Sequence, residues 1–225
     1  MRARDNPFAV ERVLRVRYFL NEREWDELFA RLARLNHRAA IVGPEGHGKT
    51  TLLEDLAERL EQRGQATTWL HRPGEDFFRD ELLRDLRDDC YADSVLLFDG
   101  ADLLNGRDWR VLVRTANRAA GLIVTSHQTC RLPTVIQCRT SPELLSRIVS
   151  QLLPEVPDEV ESLLPALYDR HAGNLRNALR ELYDLYAADR IASVSEVGPV
   201  CRTGPEAPRQ RPARSRSASS SLPTS

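Results

Sequence analysis

The sequence predicts an α/β protein, a five-stranded parallel sheet between two layers of helices, followed by a smaller and purely helical segment. Three observations carry this expectation. Short runs rich in Ile, Val and Leu alternate with amphipathic stretches between residues 22 and 138; such alternation builds a parallel sheet with both faces covered. The first of these runs leads straight into Gly43-Pro-Glu-Gly-His-Gly-Lys-Thr50, a glycine-rich turn opening a helix. Beyond Cys138 the helical period continues but no strong strand pattern returns.

The elements follow in order. Trp25, Leu28, Phe29, Leu32 and Leu35 recur at helical spacing and predict a helix over 22–36 that packs on the core ahead of the first strand. Arg-Ala-Ala-Ile-Val-Gly at 38–43 is a short apolar strand. Leu52, Leu53, Leu56 and Leu60 give a helix over 49–63, which Gly64 stops. Ala-Thr-Thr-Trp-Leu-His at 66–71 is a β-branched strand. Phe77, Phe78, Leu82, Leu83 and Leu86 predict a helix over 76–90. A buried strand at 94–99, a helix over 108–120 and strands at 121–126 and 134–138 complete the sheet. Helices are expected at 142–153, 158–170 and 174–189. The predicted organisation is an α/β core over 1–140, a helical lid over 141–198 and a tail over 199–225.

Composition narrows the class. With 41% hydrophobic and 29% charged residues in 225, the chain reads as an ordinary globular protein. No apolar run approaches the roughly 20 residues that span a bilayer, and Met1-Arg-Ala-Arg-Asp-Asn-Pro7 lacks the apolar segment of a secretory leader. Cys90, Cys130, Cys138 and Cys201 are scattered, without metal-ligand spacing, and read as reduced thiols. A cytoplasmic location is expected. The net charge of −1 hides an asymmetry. The tail holds Arg202, Arg209, Arg211, Arg214 and Arg216 against Glu206, about +4. Rich in Pro, Ser, Arg and Ala, it is expected to be disordered, as a solubilising end or a weak tether to nucleic acid or another acidic surface.

The chain contains 31 arginines and one lysine, Lys49. That lysine completes Gly43–Thr50, which fits G-x-x-x-x-G-K-[ST], the loop that cradles phosphates. Its glycines let successive N–H groups turn inward as an anion nest, and the helix that follows adds the positive end of its dipole. Lysine suits the site because a compact ammonium reaches between phosphates where a planar guanidinium fits poorly. Pro44, Glu45, Gly46, His47 and Gly48 supply the rest of the cradle, Thr50 a hydroxyl for Mg²⁺, and Thr51 the start of the helix. Val95-Leu-Leu-Phe-Asp99 is a buried strand ending in an acid, at the edge where open parallel sheets hold ligands. Asp99 is therefore the second candidate ligand for Mg²⁺. Gly100 follows it, where such enzymes often carry a glutamate that polarises the attacking water. The next acid is Asp102, either a displaced base or a cap for the following turn. The chain thus reads as a P-loop NTPase three-layer α/β/α core that binds a nucleoside triphosphate.

On these residues, with the strand Leu122-Ile-Val-Thr-Ser-His127 and the segment Gly173-Asn-Leu-Arg-Asn-Ala-Leu179, the chain resembles the AAA+ ATPases, in particular their bacterial and origin-recognition-like branch. The resemblance spans roughly 20–190. It implies ATP as ligand, with adenine as the base, and Mg²⁺ as cofactor. It implies a polar sensor after the fourth strand, by position His127, with Ser126 and Thr125 as alternatives. It also implies a second sensor, Arg176, in the first turn of a helix capped by Asn174, which reaches the γ-phosphate from the lid. An arginine finger would be Arg131, or else Arg118 or Arg114. Asn6-Pro7-Phe8 would cover the base. A protein partner or a second copy of the chain is implied as well. No pore-loop aromatic signature, helix-turn-helix, guanine-selecting N/T-K-x-D or serine-glycine-rich signature of ABC-type ATPases is visible.

Three functions compete. The first is an ATPase whose nucleotide state moves the lid and regulates a partner, with Lys49, Asp99, Asp102, His127 and Arg176 as its working side chains. The second is a nucleotide-gated switch or scaffold with negligible hydrolysis, which Gly100 favours. The third is a P-loop kinase of a small metabolite, which the helical segment after the fifth strand disfavours.

Overall fold

A computed structural model describes residues 5–71 and 91–188. The expected helix over 76–90 and the tail over 199–225 lie outside them. The described residues belong to one compact unit.

Alternation within each strand builds the sheet. β1 (Arg38–Val42), β2 (Ala66–His71), β3 (Ser94–Phe98), β4 (Gly121–Ser126) and β5 (Thr134–Gln137) are all parallel, in the order β2-β3-β4-β1-β5. Ala39 and Ile41 of β1, Val95 and Leu97 of β3 and Ile123 of β4 point to one face. There they meet α2 (Glu22–Arg34) and α3 (Lys49–Gln62). Ala40, Val42, Leu96, Phe98, Leu122 and Val124 point to the other, against α4 (Gly106–Ala116) through Trp109 and Leu112. The three central strands are thus apolar on both faces, as a covered parallel sheet requires. Each fully buried Leu, Ile or Phe contributes about 1.5–3 kcal/mol through its removal from water.

Local chemistry sets the helix bounds. Asn21 accepts from Glu24 N at 3.0 Å while Glu24 accepts from Asn21 N at 2.8 Å, a capping box that starts α2. α2 ends at Arg34, short of the expected Asn36, because Asn36 and His37 turn to positive φ (48° and 52°) and His37 N returns to Leu32 O at 2.8 Å. α4 begins two residues before the expected 108 because Asn105 accepts from Arg107 N and Asp108 N. A short α1 (Val10–Val13) precedes these, an element the periodicity did not reveal.

Arginines fasten α2 to α3. Arg59 lies 4.5 Å from the Trp25 ring centroid and pairs with Glu22 at 2.8 Å. Arg63 lies 3.6 Å from the Phe29 ring and pairs with Asp26 at 3.1 Å. The guanidinium plane stacks on each ring while its edge meets the carboxylate.

α5 (Pro142–Leu152), α6 (Asp158–Arg170) and α7 (Leu175–Ala187) enclose their own apolar cluster around Leu145, Val149, Val160, Leu164, Ala178 and Leu182. Asn6 and Phe8 join it. Asn6 Nδ2 donates to Tyr183 O at 2.9 Å, and Phe8 meets Tyr186 edge to face at 5.1 Å. The turn between α6 and α7 is tied to the chain after β5: Thr140 Oγ1 donates to Gly173 O at 2.8 Å and Tyr168 OH donates to Thr140 O at 2.8 Å. These bonds fix where α7 begins. No helix among the described residues is long and apolar enough to cross a membrane.

Candidate functional site

The sheet order sets the site. At the carboxyl edge the ends of β3, β4, β1 and β5 lie side by side, so Asp99, Ser126-His127, Gly43 and Cys138 share one rim. Gly43 N donates to Ser126 O at 3.1 Å and Cys138 N to Val42 O at 2.7 Å, which carries the pairing up to the loop. At Gly43 a β-carbon would stand 2.8 Å from Cys138 O, so only glycine lets the chain pass this close.

The Gly43–Thr50 loop rises from β1 and curls back. Gly46 has φ +74°, and a β-carbon there would lie 1.9 Å from Asn174 Oδ1. The start of α7 therefore sits directly on the loop. Lys49 is only 9% exposed, and its Nζ donates to Pro44 O at 2.8 Å across the turn. Burial holds this ammonium below its usual value; Cys138, Asp102 and Asp99 oppose that shift and Arg176 adds to it. Gly48 caps α3 with no side-chain bond, leaving the first-turn amides to face the loop. Nδ1 of His47 is buried without a hydrogen-bond partner, and burial keeps its ring below the ordinary value.

Asp99 joins three segments. Thr50 Oγ1 donates to Asp99 Oδ2 at 3.0 Å and Thr125 Oγ1 to Oδ1 at 2.6 Å, while Gly100 N donates to Thr125 Oγ1 at 2.8 Å. One carboxylate thus holds the end of the loop, β3 and β4 together. Among the described residues no group of three or more His, Cys, Asp or Glu side chains could hold a metal. The donor set here, one carboxylate and one hydroxyl, fits Mg²⁺ of the kind completed by waters and substrate phosphates.

Asp102 forms a second node. It sits on a 3₁₀ turn, Ala101–Leu103, and does not cap α4, a role taken by Asn105. It accepts from Ser126 Oγ at 2.7 Å and His127 N at 2.9 Å, and faces His127 Nδ1 at 2.6 Å. Burial alone would raise this carboxyl, but those hydrogen bonds outweigh it and hold it below the ordinary range. Asp102 and His127 line a cavity of about 500 Å³ with Ala101, Trp109, Cys130 and Arg131.

From the helical side, Asn174 accepts from Asn177 N at 3.1 Å as the cap of α7. Arg176 in its first turn stands 3.9 Å from Glu45 of the loop, with both side chains 67% exposed. An exposed pair at that distance contributes little, so the arginine reaches the loop without being locked there. Below the loop, Tyr18 packs against the apolar cluster that holds Cys138, and burial pushes both groups up, keeping them neutral.

The structure thus brings Lys49, Thr50 and Asp99 together with Thr125, one of the alternatives for the sensor. Ser126 and His127, the other two, belong to Asp102. Arg131 is exposed beside the Asp102–His127 cavity, whereas Arg114 lies in the last turn of α4 and Arg118 just beyond it. Phe8 departs from expectation. At 3% exposure, with its ring against Tyr186, it belongs to the helical cluster and has little surface to cover a base. The sequence reading missed the contact of Asn174 with Gly46 and the packing of Tyr18, whose Cε2 would be 3.2 Å from a β-carbon at Gly48. The asparagine was visible as a cap, but nothing local marks its approach to the loop. Cys138 is buried and Cys130 half-buried, both free thiols, while Cys90 and Cys201 lie outside the described residues. Comparison with protein-family models and with curated proteins gives no match to this chain.

Proposed function

We propose that this protein binds Mg²⁺–ATP in the Gly43–Thr50 loop and hydrolyses it as an AAA+-type ATPase, the helical segment serving as a lid that reports nucleotide state to a partner. One observation carries the reading. Thr50 and Thr125 both donate to Asp99, beneath a glycine loop holding the chain's only lysine. Lys49 and the loop amides would bind the β- and γ-phosphates, and Thr50 and Asp99 would hold Mg²⁺. The metal, when bound, neutralises charge on the phosphate oxygens during transfer. Thr125 fixes the Asp99 carboxylate. Arg176, loosely paired with Glu45 on a helix seated against Gly46, supplies a cation that turns to a γ-phosphate and carries α7 with it.

The test is calorimetric titration with Mg²⁺–ATP, together with phosphate release across a series of protein concentrations, Lys49→Ala serving as blank. Binding and turnover that both vanish in the variant support the ATPase. A specific rate that rises steeply with protein concentration points to a site shared between copies, with Arg131 the first residue to replace. Failure of the wild-type protein to bind any nucleoside triphosphate overturns the reading.

A second reading, a nucleotide-gated switch without turnover, is favoured by Gly100, which offers no side chain to polarise water beside Asp99. Binding without phosphate release is its signature.

A further inference from the structure

With glycine after Asp99, any activation of water must come from another base on the same rim. The backbone bearing His127 is bound on one side to Asp99 through Thr125, and on the other to Gly43 through the Ser126 carbonyl. One carboxylate, Asp102, takes both the N–H of His127 and its ring Nδ1, at 2.9 and 2.6 Å. An ionised carboxylate only accepts, so Nδ1 carries the hydrogen, and the neutral imidazole then has its lone pair on Nε2. Two bonds from one residue to one carboxylate also fix the plane of the ring. The His127 side chain is 50% exposed at a cavity of about 500 Å³, so water reaches it. Imidazole is the side chain most used for proton transfer near neutral pH.

We propose that His127 Nε2 is the base that takes the proton from the attacking water, and that Asp102 is the positioning residue that presents it. This rests on the ATP-hydrolysing reading above. In the step, the water oxygen forms a bond to the γ-phosphorus as Nε2 accepts its proton. The bond from the γ-phosphorus to the β,γ-bridging oxygen breaks, and ADP departs with the electron pair. Inorganic phosphate is the other product, and the proton passes from the imidazolium to solvent. Position 100 is thus relieved of a side chain because the base is delivered from β4 rather than from β3.

The test combines kinetics, binding and a spectrum. His127→Ala should lower kcat by about 10²–10⁴-fold while Mg²⁺–ATP affinity stays unchanged, and added imidazole should restore part of the rate. Asp102→Asn should lower kcat without raising KM for ATP. The ¹⁵N spectrum of the wild-type imidazoles, with the His127 signal identified by its loss in His127→Gln, should show hydrogen on Nδ1 and none on Nε2. Asp102→Asn should disturb that pattern. The spectrum needs only folded wild-type protein, so it decides even where His127→Ala is unstable. Hydrogen on Nε2, wild-type turnover in His127→Ala, or a lost rate that imidazole leaves untouched overturns the proposal while ATP hydrolysis stands. Wild-type protein that binds ATP but releases no more phosphate than Lys49→Ala overturns it and spares nucleotide binding alone. Absence of ATP binding removes both.

Discussion

Replacing Gly46 with alanine probes the seat of α7 on the glycine-rich loop, and its cost follows from two contacts. The backbone at Gly46 has φ +74°, a left-handed conformation that costs a residue with a β-carbon about 1–2 kcal/mol. The new carbon would stand 1.9 Å from Asn174 Oδ1, so the Asn174 side chain must turn away. That oxygen also caps α7 by accepting from Asn177 N, and a lost cap costs about 0.5–2 kcal/mol. Gly46→Ala should therefore cost about 1.5–4 kcal/mol in all, or lower Tm by roughly 3–16 °C in a domain of this size. In an Asn174→Ala background the clash is relieved and the cap already gone, so the same change should cost only about 1–2 kcal/mol. Urea unfolding of the four proteins closes the cycle. Equal costs in both backgrounds would refute a direct contact between loop and helix. An unchanged midpoint in Gly46→Ala would refute the left-handed turn itself.

Further changes address the other nodes. Lys49→Ala should abolish the rise in Tm that saturating Mg²⁺–ATP gives the wild type, worth about 2.7 kcal/mol at a hundredfold excess over Kd. Differential scanning fluorimetry reads it, and a variant still stabilised by ATP contradicts the loop assignment. Thr125→Val keeps the shape but leaves Gly100 N without its acceptor and Asp99 with one donor fewer. It should cost about 1–3 kcal/mol by urea unfolding, and an unchanged midpoint would show that water replaces the hydroxyl. Asp102 is held below the ordinary Asp value of 3.8, so its contribution is complete above that value and fades as pH falls through the lower folded-state value. The stability difference between wild type and Asp102→Asn should accordingly narrow as pH drops from about 5 through 3.8 and below. A difference constant over that range would remove Asp102 from the hydrogen bonds described.

Much of the architecture was legible because it is local. Ile41, Leu96 and Ile123 sit in runs too short for helices and too apolar for an exposed face, and they form the central strands. The spacing of Trp25, Phe29 and Leu32 gives the buried side of α2, and the α3 leucines give its own. Boundaries were less legible where a side chain competes with the period. Asn105 starts α4 early, and the positive φ at Asn36 and His37 ends α2 early. Within the site, Gly43–Thr50 and Asp99 could be read because each is a contiguous motif. The bonds from Asp102 to Ser126 and His127 could not, since they join a turn after β3 to the end of β4 and depend on those strands being neighbours. Asn174 against Gly46 is hidden in the same way. The packing of Phe8 could not be read either, since nothing local marks Tyr186, at the far end of the described chain, as its partner.

The position of β1 has a consequence for the growing chain. It is flanked only by β4 and β5, and its first pairing, Arg38 with Leu122, joins residues roughly 80 apart. The loop that follows it therefore leaves the ribosome well before β4 and β5, and has no sheet to stand on until residues 121–137 have been made. Asp99 arrives in the interval, attached to the β2–β3 pair, and the two halves of the site join only when β4 slides between them. A nascent chain halted before Gly121 would carry every residue of the loop and still lack the strands that seat it.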